Sequence, residues 1–520
     1  MANHSHQPLL IDVLLDPSRY PHPAKTVRLL ETHISWVLLA GRFAYKIKKP
    51  VDLGFLDFTD LNKRRFFCQE EIRLNRRLAP QLYLEAIAIG GSQMQPLFGA
   101  EPAFEYAVKM RRFPTVNLLD RLVTRDRLTA QHIDSLATTL AHFHASLPPA
   151  DPDSAYGTPE AVAAPARQNF LKLAALLEDI DQETLKNIQT ASEQEFSIRL
   201  PLFEQRRKDG FIRECHGDLH LGNIVLIKNV PVAFDGIEFD PKLRWIDVVN
   251  EIAFLIMDLQ HRGRADLAFR FLNAYLESCG DYQGLGVLRY YLGYRAMVRA
   301  KITAIRASQT ASDTSMAECR SYLTLAGSSL QKGRPILIIT HGLPGCGKTT
   351  VSQAVLEKLH AIRLRSDVER KRLFKLAALE SSGGSIYDPQ ATQLTYGRLL
   401  HLTRELLELG FPVIVDAAFL KHAERRQFAT LAREARLPFM ILSVRTETSL
   451  LRQRIQQRLR TGNDASEADL AVLEKLQTTC EPLRADETSV TVEFINNASV
   501  AELANQAIAW DRLNELLKQE

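Results

Sequence analysis

The sequence predicts a chain of mixed α/β and α+β class, with a two-lobed N-terminal part and a C-terminal three-layer αβα domain. Short β-rich segments come first, and long helical stretches follow them up to about residue 330. After the small, charged segment QKGRP (331–335), strands and helices alternate, which is typical of a parallel sheet with helices on both faces. We therefore predict a β-rich lobe over 1–112, a helical lobe over 113–330 and a C-terminal domain over 334–520.

Composition places the chain among ordinary globular proteins. Its 520 residues are too many for one hydrophobic core, and apolar residues make up 46% and charged residues 24%. The formal charge of +4 gives no overall field for nucleic acid or an anionic membrane. Six cysteines without a C-x-x-C pair favour a reducing compartment over a zinc site or disulfides. No run reaches the ~18 apolar residues of a membrane helix, so we expect a cytoplasmic protein without membrane or nucleic-acid partners.

The N-terminal elements follow from local patterns. Alternating or β-rich runs predict strands at 33–40 and 43–49, joined near AGRF, and again at 83–91 and 103–113. Apolar positions at helical spacing predict a helix over 61–80. The helical lobe begins with a helix over 126–147, contains a strand-rich segment at 212–240, and ends in long helices over 246–330.

The C-terminal elements alternate regularly. The predicted strands are ILIIT, IRLRSD, FPVIVD, FMILSVR and VTVEFIN, with helical stretches between them. The first strand runs directly into GLPGCGKTT (342–350), which fits the P-loop or Walker A pattern G-x-x-x-x-G-K-[ST] and opens a helix. Its glycines let backbone N–H groups point at phosphate oxygens, its lysine bridges the terminal phosphates, and its first threonine holds Mg²⁺. The predicted nucleotide-binding residues are Gly342, Gly345, Gly347, Lys348, Thr349 and Thr350.

The acids after this loop favour a kinase over a nucleotide-hydrolysing motor. Asp416 in VIVDAAF is a candidate Mg²⁺ ligand, but Ala417 stands where a motor has its water-polarising glutamate. Asp367, at the end of the preceding strand, is placed to accept the proton of an attacking hydroxyl, and Arg370 follows one helical turn later. The alternative interpretation is an N-cap aspartate and a solvated arginine.

Two further arginines complete the C-terminal set. Arg454 and Arg458 lie four residues apart on one face of the helix LLRQRIQQRLR, where a lid would bring them to the transition-state charge. A plain surface helix is the alternative. The order of GLPGCGKTT, RSDVERKR, IVDAAF, RQRIQQR and NDASEADLAVLEKLQ resembles P-loop kinases related to zeta toxins, gluconate kinase and the kinase half of polynucleotide kinases, over about 335–500. That resemblance implies that Asp367 is the proton acceptor and Arg370 its partner.

A second set of acidic motifs lies in the helical lobe. In HGDLHLGNIV, Asp218 and Asn223 have the kinase catalytic-loop spacing, with the aspartate meeting the acceptor hydroxyl and the asparagine binding Mg²⁺. In VAFDGIEFD, Asp235 before a glycine matches the second Mg²⁺ ligand. The β-rich lobe supplies the predicted phosphate-binding lysine, Lys46 or Lys48 on one face of a strand, and Glu71 on the next helix to orient it.

Residues 25–330 resemble the aminoglycoside phosphotransferase and choline kinase branch of the protein-kinase-like fold. HGDLHLGN, FDGIEF and LAHFHASLP carry the likeness. No glycine-rich loop precedes the lysine, and AGRF is the candidate for covering the γ-phosphate. The tandem of the two parts resembles a bacterial group of bifunctional proteins named after both halves.

These observations predict a fused pair of ATP-dependent, Mg²⁺-using phosphotransferases. The expected acceptors are hydroxyls of small polar metabolites such as sugars or amino alcohols. Three alternatives stay open. The C-terminal half is a kinase for a polynucleotide 5′-hydroxyl or for a nucleotide sugar, one half is a regulatory ATP sensor, or the chain has a toxin-like role. The acceptors and the oligomeric state do not follow from the sequence.

Overall fold

The computed structural model divides the chain into two compact units. The first consists of Met1–Arg262 and Tyr290–Ser329, and the second of Gly263–Arg289 and Leu330–Glu520. This division differs from the predicted boundaries chiefly in Gly263–Arg289, which lies with the second unit. The structure describes residues 6–54, 56–310, 313–382, 386–461, 464–497 and 506–518.

The first unit begins with the β-rich lobe, which confirms this part of the predicted fold class. Its six-stranded sheet has the order β1-β2-β3-β6-β4-β5, and all neighbouring strands are antiparallel. The helix embedded in it, α2 (Leu61–Asn75), begins where the Asp60 carboxylate accepts the N–H groups of Asn62 and Lys63. The strands are β1 Val27–Glu31, β2 Ser35–Ala40, β3 Phe43–Lys48, β4 Tyr83–Ser92, β5 Gln95–Phe98 and β6 Glu105–Arg111.

An N-terminal helix, α1 (His6–Val13), precedes this sheet and was not predicted. Its residues Leu10 and Ile11, with Leu14 just after it, are buried in the cluster that contains Leu38 and Tyr45 of the sheet. Burial of this apolar face, rather than any strong helix signal in the sequence, accounts for the helix.

The helical lobe of the first unit surrounds two short antiparallel strand pairs, β7 with β10 and β8 with β9. The segment between β7 and β8 and the segment after β9 carry the acidic motifs, so these pairs position the site. The elements are α3 Leu119–Thr124, α4 Ala130–Ser146, α5 Pro159–Ala174, α6 Asp179–Lys208, β7 Ile212–Glu214, β8 Ile224–Ile227, β9 Val230–Ala233, α7 Pro241–Arg244, β10 Trp245–Asp247, α8 Val248–His261, and, after α9 (Ala265–Cys279), α10 Leu285–Thr310 and α11 Asp313–Ser329.

The second unit contains the predicted parallel sheet. Its five strands have the order β12-β13-β11-β14-β15, and every neighbouring pair is parallel. The strand order reverses beside β11, which creates a crevice at the carboxyl ends of the strands. The elements are β11 Leu337–His341, α12 Lys348–Leu359, β12 Ile362–Arg365, α13 Ser366–Leu373, α14 Pro389–Glu408, β13 Val413–Asp416, α15 His422–Glu434, β14 Phe439–Arg445, α16 Thr448–Thr461, α17 Leu470–Thr479, α18 Ala485–Thr488, β15 Thr491–Ile495 and α19 Ala507–Lys518.

Helix α9 is an integral part of the second unit. The Asn273 side chain pairs with the outer strand β12, because its Oδ1 accepts the Arg363 N–H at 2.6 Å and its Nδ2 donates to the Ala361 carbonyl at 2.9 Å. Arg270 forms an ion pair with Glu357 of α12 at 2.7 Å. These contacts satisfy polar groups that the edge of the sheet would otherwise leave open.

Within the described residues, no helix combines the length and the apolar character needed to cross a membrane.

Candidate active sites

The first unit contains a cavity of about 540 Å³ between strands of the β-rich lobe and the segment after β9. Most of its wall is apolar, which suits an aromatic base, and a smaller polar region lies at one side. Lys46, Tyr83, Asp218, Asp235 and Glu238 form that polar region. The structure thus brings the predicted lysine, proton acceptor and metal-ligand aspartate to one wall.

Strand β3 presents two lysines to the same carboxylate. Lys46 and Lys48 are two residues apart, so their side chains point to the same face of the strand. Lys46 Nζ lies 2.9 Å from Glu71 Oε1, and Lys48 Nζ lies 2.7 Å from Glu71 Oε2. Lys46 Nζ also lies 2.7 Å from Asp235 Oδ1, and Lys48 contacts Glu238. Burial by itself would lower the pKa of Lys46, but Asp235 and Glu71 outweigh it and raise that pKa well above its usual value. Lys46 is therefore charged at neutral pH.

The two lysines differ in what they reach. Lys46 lines the cavity, whereas Lys48 is 0% exposed and does not line it. Lys48 instead sits between Glu71 and Glu238, and both of these carboxylates are buried. Of the two predicted phosphate-binding lysines, Lys46 is the one placed to contact a ligand. Lys48 neutralises the buried carboxylates of Glu71 and Glu238.

Lys48→Met is expected to lower the free energy of unfolding of the first unit by about 3–5 kcal/mol, because it removes the ion-pair partner of buried Glu238 and leaves buried Glu71 with Lys46 alone. Denaturant titration of the full chain measures the change. The control Lys109→Met removes a cation from the neighbouring strand β6. The ion-pair partner of Lys109, Glu85, is half exposed. Such a surface pair contributes about 0–1 kcal/mol. Equal losses in both variants would contradict the buried role of Lys48.

The catalytic-loop motif folds around Asp218. Asn223 Nδ2 donates to Asp218 Oδ2 at 2.9 Å and to its carbonyl oxygen at 3.0 Å. Asp235 has a positive φ of 63°, and its N–H donates to the Tyr83 hydroxyl at 3.0 Å. Its side chain is 45% exposed and lines the same cavity. The predicted residues Asp218, Asn223 and Asp235 are therefore held by one loop system.

Two buried acids of α8 support this loop and were not predicted. Glu251 accepts the N–H groups of His216 at 2.6 Å and Gly217 at 3.0 Å, and Asp258 accepts the Leu221 N–H at 2.9 Å. The signal was present in the sequence, because VVNEIAFLIMDLQH places single acids in an otherwise apolar helix. Buried acids need partners, and here the partners are backbone amides of the catalytic loop.

His220 and Asp218 form a second polar contact in the loop. His220 Nε2 lies 3.5 Å from Asp218 Oδ2. Burial would raise the pKa of Asp218, but His220 above all lowers it below its usual range. For His220 the two effects have the opposite signs. Burial alone would lower its pKa, but the Asp218 carboxylate outweighs burial and raises the pKa of His220 above its usual 6.5. Asp218 is therefore ionised at neutral pH.

Asp218→Asn is expected to lower the pKa of His220, because burial then acts without the opposing aspartate. In the wild type, the pair stabilises the fold most fully below pH 6.5 and is lost as the pH rises through the raised pKa. NMR titration of ¹³C-labelled histidine rings measures both values. His261, whose pKa burial lowers, is the internal control and keeps its titration. An unchanged His220 titration would contradict the ion pair.

The turn between β1 and β2 lies over the cavity. Leu30, Thr32 and Ile34 line it, and Thr32 Oγ1 accepts the Ser35 N–H at 2.9 Å. The sequence candidate AGRF forms the turn between β2 and β3, and none of its residues lines the cavity. The turn that lines the cavity is therefore the glycine-free one between β1 and β2, and no glycine signal in the sequence points to it.

The second unit contains a cavity of about 430 Å³ at the carboxyl ends of its strands. It lies in the crevice expected from the strand order. Except for Gly342, all the predicted C-terminal site residues line it, namely Gly345, Gly347, Lys348, Thr349, Thr350, Asp367, Arg370, Asp416, Arg454 and Arg458.

The phosphate loop has the backbone that its glycines predict. Gly345 and Gly347 have φ values of 81° and 94°, in the left-handed region. A Cβ at Gly347 would collide with the side-chain amide of Asn496, whose Nδ2 donates to the Cys346 carbonyl at 2.8 Å. Lys348 Nζ donates to the carbonyls of Gly342 at 2.9 Å and Leu343 at 3.0 Å. The lysine thus lies along its own loop, and Asn496 is a supporting residue that the sequence did not indicate.

Arg370 is not the solvated side chain of the alternative interpretation. It is 7% exposed, and its guanidinium lies 4.9 Å from the centre of the Tyr387 ring. Nη1 donates to the Ile386 carbonyl at 3.1 Å and to Thr392 Oγ1 at 3.3 Å. Helix α13 begins at Ser366, so Asp367 lies in its first turn and faces the cavity instead of capping it.

The lid arginines also meet the cavity. Arg454 and Arg458 of α16 both line it and are partly buried. Arg458 Nη2 donates to the Ala468 carbonyl at 2.7 Å, which ties the helix to the segment before α17. This placement agrees with the lid interpretation, while the catalytic role of the two arginines stays a prediction.

Family models match both parts of the chain. Residues 68–290 match the phosphotransferase enzyme family, and residues 337–483 match the AAA domain family. Together with the two folds and their cavities, these matches define the class, an enzyme with two kinase-type domains.

The chain belongs to the family of the uncharacterized protein Rv2004c of Mycobacterium tuberculosis. The two are 31% identical over 452 residues, which cover 85% of this chain and 88% of that protein. In this family the chain combines a phosphotransferase-type N-terminal part with a C-terminal P-loop kinase domain.

Solved structures are similar to portions of the chain. A GDP complex of aminoglycoside 2′-phosphotransferase-IIIa is 15% identical with a TM-score of 0.37, and covers 61% of this chain and 98% of its own. A gluconokinase from Sinorhizobium meliloti is 20% identical with a TM-score of 0.27, and covers 36% of this chain and 97% of its own.

Proposed function

We propose that the chain is a bifunctional ATP-dependent phosphotransferase. Each site transfers the γ-phosphate of ATP to a hydroxyl of a small polar metabolite, of the sugar or amino alcohol class. Cavities of about 540 Å³ and 430 Å³ are of the size that binds small molecules.

One observation carries this proposal. In each unit, a lysine suited to phosphate and a carboxylate suited to a hydroxyl proton line the same cavity. The pairs are Lys46 with Asp218 in the first unit and Lys348 with Asp367 in the second. Phosphoryl transfer needs little more from a protein than this positioning and electrostatic stabilisation.

The first site uses its ionised aspartate. The acceptor oxygen forms a bond to the γ-phosphorus, the bond from that phosphorus to the β-phosphate oxygen breaks, and ADP leaves. Asp218 takes the hydroxyl proton, and Lys46, held by Glu71, faces the negative charge of the phosphates. The lowered pKa of Asp218 keeps it unprotonated at neutral pH, so it is ready to accept the proton as the new bond forms.

The second site carries more positive charge. Lys348 and the arginines 370, 454 and 458 line one cavity with Asp367. The same bonds form and break there, with Asp367 taking the proton. Arginines around the moving phosphoryl group stabilise charge that develops in the transition state.

Oxygen donors at or beside both cavities suit Mg²⁺; Asp235 lines the first cavity, and Asn223 contacts Asp218, which lines it too. Asn223 and Asp235 in the first site, and Thr349 and Asp416 in the second, supply the hard ligands that this ion prefers. Asp235 is half exposed, and Asp416 ends β13 at the floor of the second cavity. These residues would hold the ion, which when bound neutralises phosphate charge.

The test is ATP consumption against a library of sugars, amino alcohols, nucleotide sugars and 5′-hydroxyl oligonucleotides. Wild type is compared with Asp218→Ala and Asp367→Ala. Each substitution is expected to remove phosphorylation of a different small acceptor. Turnover that is unchanged in both variants would refute the proposal, and a response to oligonucleotides or nucleotide sugars would refute the acceptor class of the second site.

A further inference from the structure

A single carboxylate of α9 contacts two arginines of β12. Glu277 Oε1 lies 3.1 Å and 2.7 Å from Nε and Nη2 of Arg363. Glu277 Oε2 lies 3.4 Å from Nη1 of Arg365. The two arginines are two residues apart in the strand, so their side chains point to the same face, toward α9.

Arg363 connects this carboxylate to the phosphate loop. Its Nη1 donates to the Thr349 carbonyl at 3.2 Å and to Ser352 Oγ at 3.4 Å. Ser352 Oγ in turn lies 3.3 Å from Asp416 Oδ2, to which it donates. Arg363 therefore contacts the main chain of Thr349 directly and is connected to Asp416 through Ser352. Thr349 and Asp416 are the two residues of the second site that would hold Mg²⁺.

Arg365 connects the carboxylate to Asp464, a further residue that lines the cavity. Arg365 itself lines the cavity, and its Nη2 donates to Asp464 Oδ1 at 3.1 Å. It is paired across the sheet with Asp416 and lies two residues before Asp367. Burial would lower its pKa, but Glu277 first, and then Asp416 and Asp464, outweigh burial and raise it.

We propose that Glu277 is a positioning residue of the P-loop site, a role that rests on the proposed function of that site. It fixes the guanidinium groups of Arg363 and Arg365, and through them the relative positions of Thr349, Asp416 and Asp464. Without its charge, both arginines turn toward the site acids and compete with Mg²⁺ for Asp416.

Docking of α9 does not by itself explain Glu277. Asn273 and the Arg270–Glu357 pair already attach the helix to the sheet and to α12. Burying a carboxylate with two cations is a costly way to gain stability. Its ion pairs with Arg363 and Arg365 instead connect it to residues that line the cavity.

The experiment compares Glu277→Gln with Glu357→Gln in the full chain. Both substitutions remove a carboxylate that pairs α9 with another element of the second unit, but Glu357 pairs with Arg270 and not with Arg363 or Arg365. Binding of a fluorescent ATP analogue is measured over a range of Mg²⁺ concentrations, and Lys348→Ala defines the part that belongs to this site. Thermal unfolding measures the stability of each variant.

Glu277→Gln is expected to raise the Mg²⁺ concentration for half-maximal binding by about 10-fold or more, as loss of a residue behind metal ligands does. Glu357→Gln is expected to leave the Mg²⁺ concentration for half-maximal binding within about twofold of the wild-type value, although it lowers the thermal stability about as much as Glu277→Gln does. Equal Mg²⁺ dependence in the two variants overturns the positioning role. Binding that Lys348→Ala does not change refutes the proposed function of the site instead.

A shorter acid keeps the test decisive if Glu277→Gln does not fold. Glu277→Asp retains the charge but cannot span Arg363 and Arg365 together, so the Mg²⁺ requirement is expected to rise by roughly threefold or more. Glu357→Asp is the matched control. A shift no larger than that of the control overturns the proposal.

Discussion

Asp218→Asn is expected to lower kcat of the N-terminal phosphotransferase by about 10²–10⁴-fold, the usual contribution of a general base. The amide occupies the same space but cannot take the hydroxyl proton. Lys46 and the apolar wall of the cavity are unchanged, so ATP affinity is expected to stay within about threefold. Acceptor-dependent ADP formation and nucleotide binding, measured on the same preparation, separate the two effects.

Asp367→Asn is the matched control, because it makes the same change in the other cavity. It is expected to leave the N-terminal reaction at the wild-type rate. If Asp218→Asn kept kcat, or if both variants lowered the same reaction equally, Asp218 would not be the proton acceptor of a separate site.

Removal of residues 1–330 is expected to leave a C-terminal fragment that does not unfold cooperatively. The cut falls in the segment that the sequence favours as a boundary, but it removes α9. The outer strand β12 then loses the two hydrogen bonds of Asn273, and Arg363 and Arg365 lose Glu277. Each unsatisfied buried group costs about 1–3 kcal/mol, and buried unpaired charges cost more. Circular dichroism during heating measures the transition.

A rejoined fragment is the control for this prediction. Residues 263–289 can be linked by a short glycine–serine segment to 330–520, because side chains of Arg289 and Lys332 both lie against Gly410. This fragment is expected to regain a cooperative transition, and Asn273→Ala is expected to destabilise it by about 2–5 kcal/mol. A stable, cooperative fragment that begins at residue 331 would show that α9 is dispensable.

The sequence predicted what depends on local pattern. GLPGCGKTT, the apolar strands around it and the acids at their ends are short-range signals, and of the C-terminal site residues that the sequence predicts, all except Gly342 line the cavity of the second unit. The spacing of Asp218, Asn223 and Asp235 likewise needed no knowledge of packing, because it is fixed by one loop and one hairpin.

Contacts between distant segments were not predictable in the same way. Helix α9 has an ordinary amphipathic pattern, and Glu277 meets Arg363 and Arg365 only because the chain returns to it 86 and 88 residues later. The choice between Lys46 and Lys48 also required packing, because both point to one face of β3. The acids that decide it, Asp235 and Glu238, lie about 190 residues further along the chain.

The central claim is that the chain contains two independent phosphotransfer sites. It is tested most directly by product analysis of wild type, Asp218→Asn, Asp367→Asn and the double variant, each incubated with ATP and the acceptors found in the metabolite screen. We expect each single variant to lose one phosphorylated product while keeping the other, and the double variant to lose both. Wild-type product formation by the double variant would contradict the claim.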